Sequence, residues 1–200
     1  MKTRSIRMGT ALASVLCASA AAQAGMIQFT IDPTNSFVIF KVKNRDISYV
    51  YGRFNKISGK IGVNEFSRPT RMEISAEVEA RSLDTNDRKR DKHVEGPDFL
   101  NSGQFKTISF KTTAESKQLE DNGFELTGEL TLLGVTKELT VTFEVTGNKD
   151  VEKGVRRLGG QTTFTIKRSD FGMNAVLPDV ADEVTVIVNL EAEFKQGAAG

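Results

Sequence analysis

The sequence is poor in the side chains that most often carry out chemistry. Its 200 residues include one cysteine, Cys17, one histidine, His93, and no tryptophan. Zinc would therefore need several carboxylates, and neither an H-x-x-x-H nor an E-x-x-H spacing occurs. No metal and no cofactor is expected. No G-x-S-x-G elbow presents a serine, so the usual arrangement for nucleophilic hydrolysis is missing. Charge of neither sign is in excess, with 27 Lys and Arg against 26 Asp and Glu. That balance argues against a nucleic-acid partner and against strong attraction to anionic membrane surfaces.

Long hydrophobic runs are also lacking. Met8 to Ala21 is uncharged but only modestly apolar, too short and too weakly apolar for a membrane span. It follows Lys2, Arg4 and Arg7 and precedes Ala22-Gln23-Ala24, an A-x-A cleavage signal. Residues 1–24 therefore read as a secretory signal peptide cleaved after Ala24. No twin-arginine pair is present, which favours the general secretory route. Cys17 follows Ser14-Val15-Leu16 rather than the small residue expected before a lipidated cysteine. The expected destination is the periplasm. After cleavage 176 residues remain, without cysteine and with a formal charge of −2. A disulfide-free exported chain must be held by its own core, and this length suffices for one domain. No integral membrane segment is expected in it. Residues 25–195 read as a single domain and 196–200, small and polar, as a disordered tail.

Period-two alternation is what the chain has in abundance. In Lys137 to Gly147, Leu139, Val141, Phe143 and Val145 share one face and Glu138, Thr140, Thr142, Glu144 and Thr146 the other. Arg71 to Arg81 and Glu183 to Phe194 repeat the pattern, with Ile187 out of phase. Shorter strands are expected at Ser36–Lys43, Ser48–Ile57, Lys60–Asn64, Lys106–Ala114, Phe124–Leu132 and Gln161–Lys167. Turn signals stand between them at Ser58-Gly59, Leu133-Gly134 and, as a loop, Gly147 to Gly154. Gly52 reads as a bulge bending a long strand. No sustained helical period and no repeat occurs. About eight antiparallel strands must bury their apolar faces together, as a two-sheet sandwich or a closed barrel. The strand lengths and the 13 phenylalanines lean toward a barrel, whose interior can be filled by side chains or hold one ligand.

One segment breaks the alternation: RKRDKHVEGPDFL, Arg88 to Leu100. Asp87 offers an N-cap and Gly96-Pro97 a stop, so a short helix is expected over Asp87–Glu95. In a barrel it would sit at the rim as a lid. Asp91 and His93 are the available acid/base pair, but residues two apart on a helix point about 200° apart. Arg88, Lys89 and Lys92 suit a solvated face. Arg90 and His93, three apart, lie near one another and can both donate to an anionic or carbonyl headgroup. Val94, Phe99 and Leu100 can close an apolar opening. A second polar cluster, Arg168-Ser169-Asp170-Phe171-Gly172, follows a strand. It reads as readily as a strand-end corner, with Asp170 bonding backbone and Phe171 packed inward, as it does as a ligand contact. Arg53 is ambiguous in the same way.

These stretches together resemble the YceI-like family. The resemblance runs from about Phe29 to Phe194 and is carried by Ile31-Asp32-Pro33-Thr34-Asn35-Ser36, Gly52-Arg53-Phe54 with Ser58-Gly59, and Arg90, Asp91, His93, Asp98 and Phe99. It continues through Thr107-Ile108-Ser109-Phe110, Gly128 to Lys137 and Arg168 to Gly172. No single motif is specific; their order and spacing are. Asn44 stands where members often carry histidine, and it cannot take a charge. Thr107-Ile108 lacks the proline often found before that isoleucine. The resemblance implies an all-β, lipocalin-like antiparallel barrel of about eight strands with one short rim helix. It also implies a periplasmic protein that binds a polyisoprenoid or similar long-chain lipid.

The expected function is therefore a binding or carrier protein, not an enzyme. The expected cavity residues are the apolar stripes: Val38, Phe40 and Val42; Ile74; Ile108 and Phe110; Leu126 and Leu130; Val141 and Phe143; Phe164 and Ile166; Val186 and Val188. Any barrel core needs such residues, so fewer than half are expected to touch a ligand. Arg90, His93 and Arg168 are the expected headgroup contacts. Two rivals are an enzyme using Asp91 and His93 on such a lipid, and a solid barrel acting as an interaction partner. Edge pairing of two barrels would make a homodimer.

Overall fold

The computed structural model describes residues 25–120 and 122–197. The expected signal peptide, and most of the expected tail, lie outside the described residues. The strands are β1 (Ile27–Ile31), β2 (Phe37–Asn44), β3 (Ser48–Phe54), β4 (Ile57–Val63), β5 (Met72–Glu79), β6 (Leu83–Asp84), β7 (Thr107–Thr112), β8 (Lys117–Gln118), β9 (Gly123–Leu132), β10 (Val135–Glu152), β11 (Val155–Lys167) and β12 (Val180–Lys195). Among the described residues there is one α-helix, α1, spanning Arg88–Val94.

Pairing is antiparallel throughout and closes on itself. β12 pairs with β11 along its length, with β2 through Val184 to Asn189, and with β1 at Ala192 and Glu193. β1 and β2 are thus two halves of one broken staircase along β12, and β3 and β4 continue it on the far side. Counted this way, the ring is a closed eight-strand antiparallel barrel. The alternating sequence has one inside and one outside, and ring closure gives every strand a partner, leaving one edge of β3 before Arg53 and of β10 beyond Val145 unpaired. On the outside, the Thr127–Thr140 and Thr131–Thr136 hydroxyls meet across β9 and β10 at 2.8 and 2.9 Å.

Several boundaries differ from the sequence reading. Ser58-Gly59 is inside β4, and the chain breaks instead at Asn55-Lys56. Gly59 is needed because its φ is +146° and a Cβ there would lie 2.1 Å from the Ser75 carbonyl oxygen. The glycine marks close strand approach, not a turn. Gly52 is no bulge: β2 and β3 stay in register from Val38↔Phe54 to Asn44↔Ser48. A Cβ at Gly52 would sit 2.3 Å from the Phe40 ring and 2.9 Å from the Thr85 methyl, so the glycine makes room for both. Gly147 to Gly154 is no loop; β10 and β11 run on as a ladder to Glu152↔Val155. Alternation fails there because the ladder extends past the core, and Arg156 ties it through Asn148 and Asp150. Leu133-Gly134 is the expected tight turn, with φ of 54° and 72°, the type I′ signature that matches strand twist.

The barrel is solid at one end. Phe29, Phe66 and Phe194 pack ring to ring with centroids 4.9–6.2 Å apart, and Arg156 covers Phe66 at 5.9 Å. Leu126, Leu158 and Ala192 are fully buried beside this plug. No described helix is long and apolar enough to cross a membrane.

Candidate ligand-binding site

The other half of the barrel is hollow. A cavity of about 400 Å³ opens between α1, the β2–β3 hairpin and the segment leading into β12. Its size is in the range of small-molecule sites, which are mostly apolar with a few placed polar groups. The stripes named from the sequence on β2, β5, β7, β10, β11 and β12 all line it, as does Leu130. Leu126 does not; it shares the face of Leu130 but lies in the filled half. Phe143, 1 % exposed, and Leu190, 2 % exposed, form the floor. Gly160 allows this, because a Cβ there would stand 2.3 Å from the Phe143 ring.

α1 forms as its sequence directs. Asp87 caps it by accepting from the Arg90 amide at 2.8 Å. That bond holds the Asp87 carboxyl below the usual range, against a smaller burial effect. The helix turns Arg90, His93 and Val94 to the cavity and leaves Arg88, Lys89 and Lys92 exposed. Arg90 is largely committed. Its Nε donates to Thr85 Oγ1 at 2.8 Å and Nη2 to the Thr85 carbonyl at 2.6 Å. Asp91 Oδ1 accepts from the Thr85 amide at 2.8 Å and its hydroxyl at 2.6 Å. Arg90, Thr85 and Asp91 therefore make one closed network that fastens the helix to the end of β6. The Asp91 carboxylate points to Thr85, and no bond joins it to His93 among the described residues. His93 is exposed at the mouth and meets the edge of Phe99 with centroids 5.0 Å apart.

The second cluster is mainly a staple. Arg168 is 2 % exposed. Its Nε donates to the Ala181 carbonyl at 2.9 Å, Nη1 to that of Met173 at 2.8 Å and Nη2 to that of Val180 at 2.9 Å. Burial lowers its pKa, and the charge of Asp182 opposes the shift. The guanidinium also lies over Phe99 at 5.9 Å. Phe99 thus joins the helix segment to the β11–β12 corner across the mouth. Phe171 packs inward as expected. The backbone-bonding role expected of Asp170 belongs to Asp182, which accepts from the Ser169 amide at 2.8 Å and its hydroxyl at 2.7 Å. Arg53 donates to the Asn55 side chain on the outer surface. No group of three or more His, Cys, Asp or Glu able to hold a metal occurs among the described residues.

Asp182 gives this corner a pH dependence. The Ser169 side-chain bond, then its amide, hold the carboxyl below its ordinary value near 3.8, against burial. A depressed carboxylate stabilises the fold above its unfolded pKa and ceases to do so as pH falls through its folded pKa. Asp182→Asn is expected to lower Tm by about 3 °C at neutral pH. The gap to wild type should close as pH drops below about 4. Asp32 and Asp87 are lowered too, so the difference between the two melting curves is the informative quantity. A gap that stays constant down to strong acid would refute the assignment.

Part of the lining lies beyond the stripes expected from the sequence. Val50, Phe54, Leu132 and Leu190 sit at inward parity; Val176 and Val180 lie before the alternation of β12 begins. Thr162 shares the parity of Phe164 and Ile166, which places it inside.

Residues 29–192 match the YceI-like domain. A UPF0312 protein of Pseudomonas aeruginosa is 33% identical over 181 residues, covering 90% of this chain and 93% of its own. Protein YceI of Salmonella newport is 31% identical over 184 residues, covering 92% and 95%. Among solved structures, BcnA of Burkholderia cenocepacia superposes with a TM-score of 0.71 at 23% identity, covering 81% of this chain and 99% of that one. A polyisoprenoid-binding domain from Saccharophagus degradans, implicated in plant cell wall breakdown, superposes with a TM-score of 0.62 at 16% identity, covering 82% and 97%. At these identities the structural likeness speaks to the fold.

Proposed function

The chain belongs to the YceI-like family, and from that premise we propose that it is a periplasmic carrier that holds the chain of an isoprenoid or similarly long lipid inside its barrel. The observation that carries this reading is the half-hollow barrel. An aromatic plug seals one end, and an apolar cavity of about 400 Å³ opens at the other. A solid interaction barrel has no need to leave that volume empty, since unfilled space forfeits dispersion contacts and costs stability. Burying a few hundred Å² of lipid at ~25 cal/mol per Å² contributes several kcal/mol before ordering costs. The polyisoprenoid-binding domain of similar fold agrees with this ligand class. Arg90 and His93 stand where any part of the lipid reaching solvent would pass.

The carrier reading also suits the chemistry at the mouth. Asp91 is engaged by Thr85, so the Asp91–His93 acid/base pair of the rival reading is not assembled. Native mass spectrometry of protein taken from its own cell envelope without delipidation is expected to show a stoichiometric lipid adduct, identified after organic extraction. A clean ligand-free mass under those conditions would overturn the proposal and favour the interaction barrel.

A further inference from the structure

We infer that the lipid enters oxygen first, with a neutral hydroxyl or carbonyl at its buried end meeting Thr162 near the cavity floor. This rests on the carrier reading above and specifies its ligand.

The polar groups of the lining differ in how far they are already satisfied. Thr85 both donates to Asp91 and accepts from Arg90. Arg168 gives three of its nitrogens to carbonyls. Arg90 has used two of its nitrogens on Thr85. Asn44 and His93 stand at the mouth, within reach of water. Ser109 touches the lining from the opposite parity to Ile108 and Phe110 and is only half-buried, whereas Thr162 is enclosed. It lines the cavity, is 9 % exposed, and its Oγ1 is buried without a hydrogen-bond partner among the described residues.

Its position is deep. Thr162 pairs with Val188 on β12, one inward step above Gly160, whose partner is the floor residue Leu190. From Thr162 to the end of β11 at Lys167 the strand climbs about 17 Å. The inward residues along that climb are Phe164 and Ile166. A barrel built to hold hydrocarbon alone would favour valine here, which has the shape of threonine without a hydroxyl to desolvate. A 120° step in χ1 carries the threonine hydroxyl into the position its methyl held and the methyl into that of the hydrogen, so Oγ1 can swing toward a ligand without moving the strand.

The same geometry limits the ligand's chemistry. A lone neutral hydroxyl can satisfy a hydroxyl, ketone, ester or amide oxygen. It cannot offset the desolvation of a phosphate or carboxylate, which in an apolar site needs cationic or multiple donors. An anionic head is therefore excluded from the floor, and the chain trails outward past Val176 and the mouth.

The test uses Thr162→Val and His93→Ala in the mature protein. The probes are three C20 isoprenoids, presented from detergent-free carrier: the free alcohol, the hydrocarbon without a head, and the pyrophosphate. Wild type is expected to bind the alcohol best. Thr162→Val should weaken the alcohol by about fivefold, as for one buried hydrogen bond, and leave the hydrocarbon unchanged. His93→Ala should leave the ranking intact. Equal loss of all probes in Thr162→Val would make Thr162 a packing residue and overturn the inference. So would a loss of alcohol binding confined to His93→Ala, which would put the head at the mouth. Both of those results leave the carrier reading standing. Wild type that binds none of the three overturns both. Thermal melts of each variant establish that it is folded.

Discussion

Arg168→Met is expected to cost about 3 kcal/mol and to lower Tm by about 10 °C. The side chain is 2 % exposed, and its removal leaves the Met173, Val180 and Ala181 carbonyls without their donor. Hydrogen bonds to a charged donor are worth about 1.5–3 kcal/mol each. The three are not additive, because the corner would relax and admit water. Arg168→Lys separates geometry from charge. It keeps the positive charge facing Asp182 but cannot span three carbonyls with one ammonium, so roughly half the loss should remain. Differential scanning calorimetry measures both. A drop of less than 2 °C for Arg168→Met would mean that water already serves those carbonyls and that the arginine is not a staple. The variant should also release bound lipid faster, since Arg168 and Phe99 join two sides of the mouth.

Arg168 illustrates what a single sequence leaves hidden. An arginine after a strand looks the same whether it faces a ligand or reaches across to carbonyls 5 to 13 residues away. Those acceptors belong to a segment without periodicity, so nothing in the pattern announces them. The alternation carried much more. It placed the inside of β5, β9, β10 and β12 correctly, because a half-buried strand can bury only every second residue. Parity tells a face, however, and not a depth. Leu126 and Leu130 have the same parity on β9; one lies beside the plug and the other in the cavity wall. Thr162 has the parity of a lining residue, but a threonine in a strand is ordinary and signals nothing by itself. What makes it unusual is the missing partner, which only coordinates reveal. The short helix was legible from its cap and stop signals. The engagement of Asp91 by Thr85 was not, since it depends on where β6 brings Thr85.

Filling the hollow half should abolish binding without unfolding the barrel. Val186→Trp is the choice because Val186 is on the lining of β12, flanked by Phe164 on β11 and Phe40 on β2. An indole there points into the cavity rather than into the plug. Added bulk in a packed core usually costs about 1–3 kcal/mol through forced rotamers. Here the volume of about 400 Å³ receives it, so the cost should fall at or below the lower end of that range. Removing water from an apolar wall offsets part of what strain remains. Lipid affinity should fall by at least a hundredfold, because the chain and the indole cannot share the space. The contrast with Phe143→Ala is what makes the test specific. Phe143 is 1 % exposed and forms the floor, so its truncation should destabilise by about 3–5 kcal/mol while enlarging the cavity. Val186→Trp should therefore stay folded and lose its lipid, whereas Phe143→Ala should lose stability and still accept a chain. Retained lipid in a folded Val186→Trp protein would place the binding site outside the barrel and leave its hollow half without a role.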